Sequence, residues 1–330
     1  MREEFPLKEP YQGWLIMRKL KYLFCSLSVL VLSGGSLFGS IQEHLKIPSD
    51  KSGESQMRGI DFIYMINLDQ RPEKYKQSLD ALVPFGITPY RFSAVNGWEL
   101  SLEDINEVGV KYEKGMTKGI WGTSYFPENN GQPHHEVMNV VGRNYFGHCL
   151  SRGAIGIALS HLSILQDAYD SGYETIWVME DDIEVIKNPH ILSGLIDKLD
   201  RLVGKNGWDF LFTDRDTKGQ DGANVICLGA AARPNFQPHP ANKFQKRVDI
   251  SSDFRRVGAR YGAYSMIVRR SGMKKMLDFT KNGVFLPYDM EYTLPHGIRL
   301  YTVREDVVST QPNALSDNAG PNYKKALIQD

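Results

Sequence analysis

Apolar runs of strand length recur along this chain, and several of the segments between them carry helical periodicity. FIYMINL, 62–68, is followed by DQRPEKYKQSLDALVPFG, where Pro72 marks a helix start, Tyr75, Leu79 and Leu82 recur at helical spacing, and Gly86 closes the unit. YRFSAV, 90–95, is a second short strand ending at Asn96 and Gly97. GAIGIALSHLSILQDAYDSG predicts a helix, because Leu159, Leu162, Leu165 and Tyr169 share a face and Gly172 ends it. ETIWVMED and WDFLFTD, 208–214, are strands on either side of a helix. Its apolar stripe is Ile191, Leu192, Leu195, Ile196, Leu199 and Leu202, with Asn188 and Pro189 as cap and first-turn proline. YGAYSMIVRRSGMKKMLDFT predicts strand, turn and helix with Ser271 as cap, and a last strand falls at 299–304. Strands alternating with helices predict an α/β fold whose mostly parallel sheet is covered by helices on both faces.

Two stretches break this rhythm. Residues 98–150, rich in Gly, Tyr and Asn, are expected as an insertion or lid, and 215–257, with Pro234, Pro238 and Pro240, as a surface excursion. The folded domain is expected over 59–312, with a C-terminal tail at 313–330. Ahead of it, Met17–Ser40 has a basic start, an apolar middle from Leu23 to Leu32 and then small residues, the order of a secretory signal peptide. The apolar run falls short of the roughly 20 residues of a spanning helix. Export, or membrane association through 17–40, is therefore expected, with the cytoplasmic face of a membrane as the alternative location. Residues 1–58 are set aside from the fold as leader or anchor and linker.

Lys and Arg total 39 against 39 Asp and Glu, a formal net charge of +0, so the chain lacks the basic excess that nucleic-acid binding requires. Cys25, Cys149 and Cys227 lie far apart and form no CxxC pair, which indicates neither a zinc site nor a disulfide framework.

The chemistry concentrates at VMEDD, where Glu180, Asp181 and Asp182 directly follow the apolar run Ile176–Met179. Adjacent carboxylates repel, and burial raises their pKa values unless something positive sits among them. Hard divalent cations such as Mg²⁺ and Mn²⁺ prefer carboxylate oxygens, and one or two Asp at a strand end can hold such an ion against a nucleotide diphosphate. The bland alternative has Asp182 capping a turn and Glu180 in solvent. Position decides against it: the run lies between two strands of one sheet, so it emerges at the carboxyl edge where open α/β sheets bind ligands. Asn67, Asp69, Arg71 and Lys74 follow the first strand and reach the same edge, where they can meet base, ribose or phosphate. Ser160 and His161 sit in the helix that starts near Gly153 and Gly156, glycines that would let backbone approach a ligand closely.

Taken in order, INLDQRPEKY, GAIGIALSH, VMEDD, YGAYSMIVRRSGMKKML and LPYDMEY resemble glycosyltransferase family 25, the lipooligosaccharide and collagen galactosyltransferase group, over roughly Ile60–Gln311. The resemblance implies a GT-A-type, Rossmann-like fold and a nucleotide-sugar donor, UDP-galactose by preference. It also implies a divalent metal, Mn²⁺ or Mg²⁺, and a glycan, lipooligosaccharide or glycoprotein acceptor. Carried over residue by residue, Asn67, Leu68 and Arg71 match the first motif, Gly156, Ser160 and His161 the second, and Glu180, Asp181 and Asp182 the metal motif. The chain departs from the family at Lys74 and Tyr75, where a second arginine is usual, and at Gly153–Ile157, which stands where GEIGC is usual.

The resemblance also suggests an inverting displacement, which needs a base at the acceptor hydroxyl. Asp289 in LPYDMEY is the expected base, with Asp214 and Glu291 as alternatives. Two rival readings carry less. A response-regulator-like phosphoryl-transfer domain would place its acidic pair after the first strand, whereas here the cluster follows a later one. A secreted carbohydrate-binding protein that keeps the fold without catalysis accounts for the leader but not for three retained carboxylates.

Overall fold

The computed structural model describes residues 41–51, 57–116, 119–148, 150–216, 233 and 242–326. Contacts divide the chain into Met1–Phe38, outside the described residues, and Gly39–Asp330, to which the described elements belong. β1 (Phe62–Asn67) leads through α1 (Pro72–Leu82) to β2 (Tyr90–Ser93). After α2 (Leu102–Val108) come β3 (Val110–Lys111), β4 (Trp121–Tyr125), β5 (Pro133–Val137) and β6 (Asn144–Gly147). Next are α3 (Arg152–Asp170), β7 (Thr175–Glu180), β8 (Ile183–Val185), α4 (Ile191–Val203) and β9 (Phe210–Phe212). β10 (Arg247–Asp249), β11 (Phe254–Val257), β12 (Ser265–Arg269), α5 (Arg270–Thr280), β13 (Leu300–Val303) and β14 (Val308–Thr310) complete the order.

The central sheet has eight strands in the order β10-β11-β13-β9-β12-β7-β1-β2. β2, β1 and β7 run parallel, as do β9 and β13, while β12 lies antiparallel between the two groups. Period-two alternation splits the strand side chains between two cores. Phe62, Tyr64, Ile66, Ile176, Val178, Met266 and Val268 pack on one face with α3 and with Met273 and Met276 of α5. Ile63, Met65, Trp177, Met179 and Ile267 pack on the other with Leu192, Ile196 and Leu199 of α4. The sheet is thus covered on both faces, and each fully buried large apolar side chain contributes about 1.5–3 kcal/mol.

Several local expectations change in three dimensions. Asn188 does not cap α4: its Oδ1 accepts from His190 N at 3.0 Å, making a turn, and the helix starts at Ile191 without a side-chain cap. Ser271 lies inside the first turn of α5 and donates to Asp209 Oδ1 at 2.6 Å instead of capping. Residues 98–150 are more than a lid, since β3-β6-β4-β5 form a second sheet. Its Val110, Tyr112, Met138 and Tyr145 share a core with Phe285 and Leu286. In 215–257, residues 247–249 and 254–257 are not an excursion, because β10 and β11 extend the main sheet edge; Pro234, Pro238 and Pro240 lie outside the described residues. So do the leader at 17–40 and all three cysteines. Among the described residues no helix is long and apolar enough to cross a membrane.

Candidate active site

The acidic run occupies the turn at which the chain leaves the main sheet. Glu180 ends β7 and its N–H donates to Tyr264 O at 2.9 Å. Two residues later β8 pairs instead with β14, and Asp182 O accepts from Gln311 N at 2.9 Å. This divergence opens a cleft beyond the carboxyl ends of β1, β2 and β7. Leu68, Lys74, Asn96, Trp98, Ser160 and Asp317 are among its lining residues, together with Glu180, Asp181 and Asp182. Such a crevice at the sheet edge is where α/β folds bind ligands.

The three carboxylates have different partners. Glu180 Oε1 is hydrogen-bonded to His161 Nε2 at 3.1 Å. The His161 ring is fully buried on α3 and stacks on Tyr288 with centroids 4.1 Å apart and planes 6° from parallel. Asp181 Oδ2 accepts from Asn67 Nδ2 at 2.6 Å, and Lys74 Nζ stands 3.9 Å from Asp181 Oδ1. Asp182 Oδ1 is buried without a hydrogen-bond partner. Burial pushes the carboxyls of both Asp181 and Asp182 up to about 6, with Lys74 opposing the shift at Asp181 and Glu180 adding to it at Asp182.

An orphaned buried carboxylate oxygen beside two further carboxylates has the hard-oxygen character that suits Mg²⁺ or Mn²⁺. Among the described residues, however, no three His, Cys, Asp or Glu side chains converge into a cage by themselves. A bound ion would need substrate oxygens to complete its shell.

The first-motif residues act as a frame. Asn67 is 1% exposed, and all its polar atoms are engaged, Nδ2 also donating to Arg71 O at 2.8 Å and Oδ1 accepting from Arg91 Nε at 2.8 Å. Arg71 is not open to a phosphate: its Nη1 pairs with Asp317 Oδ2 at 3.2 Å. Its Nε lies 2.7 Å from Glu73 Oε1, without the alignment of a hydrogen bond. Lys74, by contrast, lines the cleft. In the second motif, a Cβ at Gly156 would stand 2.5 Å from Val95 O and from Gly97 N, and one at Gly153 would stand 2.5 Å from Asn318 O. The absence of a Cβ at these glycines therefore admits neighbouring backbone. Ser160 accepts from Val95 N at 2.8 Å and donates to Gly156 O at 2.7 Å, fixing the same loop.

The three candidate bases also separate. Asp289 Oδ2 accepts from Gly262 N at 2.9 Å, and burial raises its carboxyl pKa, with Glu180 adding to the shift and His161 opposing it. Asp214 is committed to a buried ion pair with Arg260 at 2.9 Å and to the hydroxyl of Tyr264. Glu291 Oε1 accepts from Arg233 Nη2 at 2.8 Å and from the backbone of Phe285 and Leu286, which makes it the anchor of that turn. Asp289 lies within the electrostatic reach of Glu180 and His161.

Trp98, Tyr288 and Asp317 were not among the sequence candidates. Trp98 had a usable signal, an aromatic directly after the Asn96-Gly97 strand end. Asp317 had none, since it reaches Arg71 across 246 residues of chain.

Comparison with known proteins identifies the family. The sequence model of glycosyltransferase family 25 (LPS biosynthesis protein) matches residues 60–292. A glycosyltransferase 25 family member of Aedes aegypti is 28% identical over 53% of this chain and 24% of its own length. An inactive glycosyltransferase 25 family member 3 of Homo sapiens is 25% identical over 52% of this chain and 24% of its own. Procollagen galactosyltransferase 1 of Danio rerio is 25% identical over 39% and 17% respectively. The chain spans at most about a quarter of the length of these relatives. With its family match covering most of the described fold, the chain belongs to glycosyltransferase family 25.

Proposed function

We propose that the protein is a metal-dependent glycosyltransferase that moves a hexose, galactose by preference, from a nucleotide-sugar donor to a hydroxyl of a glycan or glycoconjugate, with inversion. The observation that carries this reading is the buried, unpartnered Oδ1 of Asp182 in a cleft at the carboxyl edge of parallel strands. Asp182 and Asp181 would hold Mn²⁺ or Mg²⁺, and the ion when bound supplies charge neutralisation at the departing diphosphate. Lys74 adds a second positive charge in the same cleft. Asn67 fixes the orientation of Asp181. Asp289 takes the proton from the acceptor hydroxyl, and its raised pKa makes the carboxylate a stronger base than an exposed one. His161, stacked on Tyr288, holds Glu180 at the cleft.

The test is calorimetric titration of UDP and UDP-galactose into the full chain with Mn²⁺ and then with EDTA, beside Asp182→Ala. Binding that requires both the ion and Asp182 supports the donor clamp. Absence of binding by folded protein to these and to GDP-, CDP- and ADP-linked sugars would overturn it. A second reading, a member that binds donor without turning it over, draws on the relatives whose names call them inactive. Donor binding without hydrolysis or transfer to any glycan would favour that reading.

A further inference from the structure

Besides the acidic run, the cleft is lined by two segments far apart in sequence. One is the loop after β2, residues 94–98, and the other is residues 316–318, which lie beyond the 60–292 matched by the family. Trp98 Nε1 donates to Asp317 O at 2.8 Å, which joins the two segments and fixes the indole. Asp317 is itself held from two sides. Its carboxylate is 8% exposed, Arg71 Nη1 lies 3.2 Å from Oδ2, and Tyr323 N donates to Oδ1 at 3.1 Å. Further ties lock the strap: Ser151 Oγ donates to Asn318 O at 2.6 Å, and Asn96 Nδ2 donates to the Tyr323 hydroxyl at 2.9 Å. Gly153 lets Asn318 approach so closely that a Cβ would stand 2.5 Å from its carbonyl oxygen. Residues 316–318, within the expected C-terminal tail, thus form a wall of the cleft.

We infer that Trp98 and Asp317 recognise the nucleoside of the donor, Trp98 as the platform for the base and Asp317 as the acceptor for ribose hydroxyls. This rests on the nucleotide-sugar reading above. Charge favours one orientation. A diphosphate is drawn to Lys74 and to an ion at Asp181 and Asp182, which leaves the neutral polyol for Asp317, whose own charge is already offset by Arg71. An ionised carboxylate has about four lone-pair sites. Arg71 and Tyr323 leave acceptor capacity for a diol, and acidic residues take this role in other α/β nucleotide sites. Half-buried Trp98 lines the same cleft, as do Val95 and Ile157, and its indole is an apolar surface on which any nucleobase can stack.

The experiment measures the Kd, with Mn²⁺, of the tightest binder among UDP, GDP, CDP and ADP, of its 2′,3′-dideoxy counterpart, and of inorganic pyrophosphate. The full chain is compared with Asp317→Ala, Asp317→Asn, Trp98→Ala and Trp98→Phe. Wild type should bind the dideoxy form at least ten-fold more weakly than the ribose form. Asp317→Ala should bring that ratio to within two-fold and leave pyrophosphate binding within two-fold. Asp317→Asn, which keeps the shape and an acceptor oxygen, should give an intermediate ratio. Trp98→Ala should weaken both nucleotides about ten-fold or more at unchanged ratio and spare pyrophosphate, while Trp98→Phe retains most affinity. The ratio separates recognition from support, because loss of a merely structural contact weakens both ligands equally. A wild-type ratio near one, or a ratio that survives Asp317→Ala, overturns the assignment while the nucleotide reading stands. Failure of wild type to bind any of the four nucleotides overturns both.

Discussion

Asn67 Nδ2 donates to Asp181 Oδ2 at 2.6 Å, and through this bond the end of β1 sets the position of a carboxylate in the turn after the neighbouring strand β7. The same amide holds Arg71 O and accepts from Arg91, so one side chain registers three segments at the sheet edge. Asn67→Ala should cost about 1–3 kcal/mol, the range for leaving buried partners unsatisfied. It should also weaken Mn²⁺ binding. Thermal denaturation and metal titration of the same variant check both effects; a fully stable variant would mean that the loop is held by other contacts.

Asp182 has the opposite character, a buried acceptor with no partner. Asp182→Asn should abolish the Mn²⁺-dependent rise in melting temperature. In EDTA at pH 7.5 it should melt no lower than wild type, because it removes a buried charge beside Glu180. A metal-free loss of several degrees would instead identify Asp182 as a structural residue.

The pH dependence follows from the same burial. Asp181 and Asp182 have carboxyls raised to about 6, against about 3.9 for an unfolded chain. A raised folded pKa means stability that is fully present below the unfolded value and lost as pH rises through the folded one. Metal-free protein should therefore lose stability between about pH 4 and pH 7 through these groups, and Mn²⁺ should restore it at pH 7.5 while doing little at pH 5. Scanning fluorimetry with and without EDTA would read this, and subtracting the Asp182→Asn profile isolates the contribution from other titrations.

Asp289 lies in the environment of Glu180 and His161 while its two rivals are bonded elsewhere. Asp289→Asn should leave nucleotide affinity within about two-fold and lower transfer by about 10²-fold or more. Unchanged turnover would remove Asp289 from the reaction.

Asp214→Asn should behave differently, as damage to a support. Its partner Arg260 is 3% exposed, and breaking a buried pair by removing one charge costs about 3–5 kcal/mol. The variant should melt well below wild type, and any activity that remains should have an unchanged KM for donor. A stable but inactive variant would return Asp214 to the list of candidate bases.

Much of this was legible from local pattern. Apolar runs such as residues 62–66 and 176–179 are buried on both faces, which only a covered sheet allows, and a carboxylate run directly after such a run must emerge at the strand's carboxyl edge. Capping was less legible. Asn188 and Ser271 have the right chemistry near helix starts, yet each found a different partner, because a short polar side chain takes whichever group the surrounding fold places in reach.

The sequence by itself determined the α/β alternation, the edge at which the acidic run lies and the family, since these depend on contacts along one segment or on the order of segments. Tertiary structure decided what each polar residue does. Arg71 looks like a phosphate ligand until Asp317 takes its guanidinium, and Gly156 looks like a ligand cradle until Val95 and Gly97 fill the space. Asp214 and Glu291 look like bases until Arg260 and Arg233 claim them. The physical reason is common to all four. A polar or glycine position acts through what stands within about 3–4 Å of it, and those neighbours come from distant parts of the chain that only the closed fold brings together.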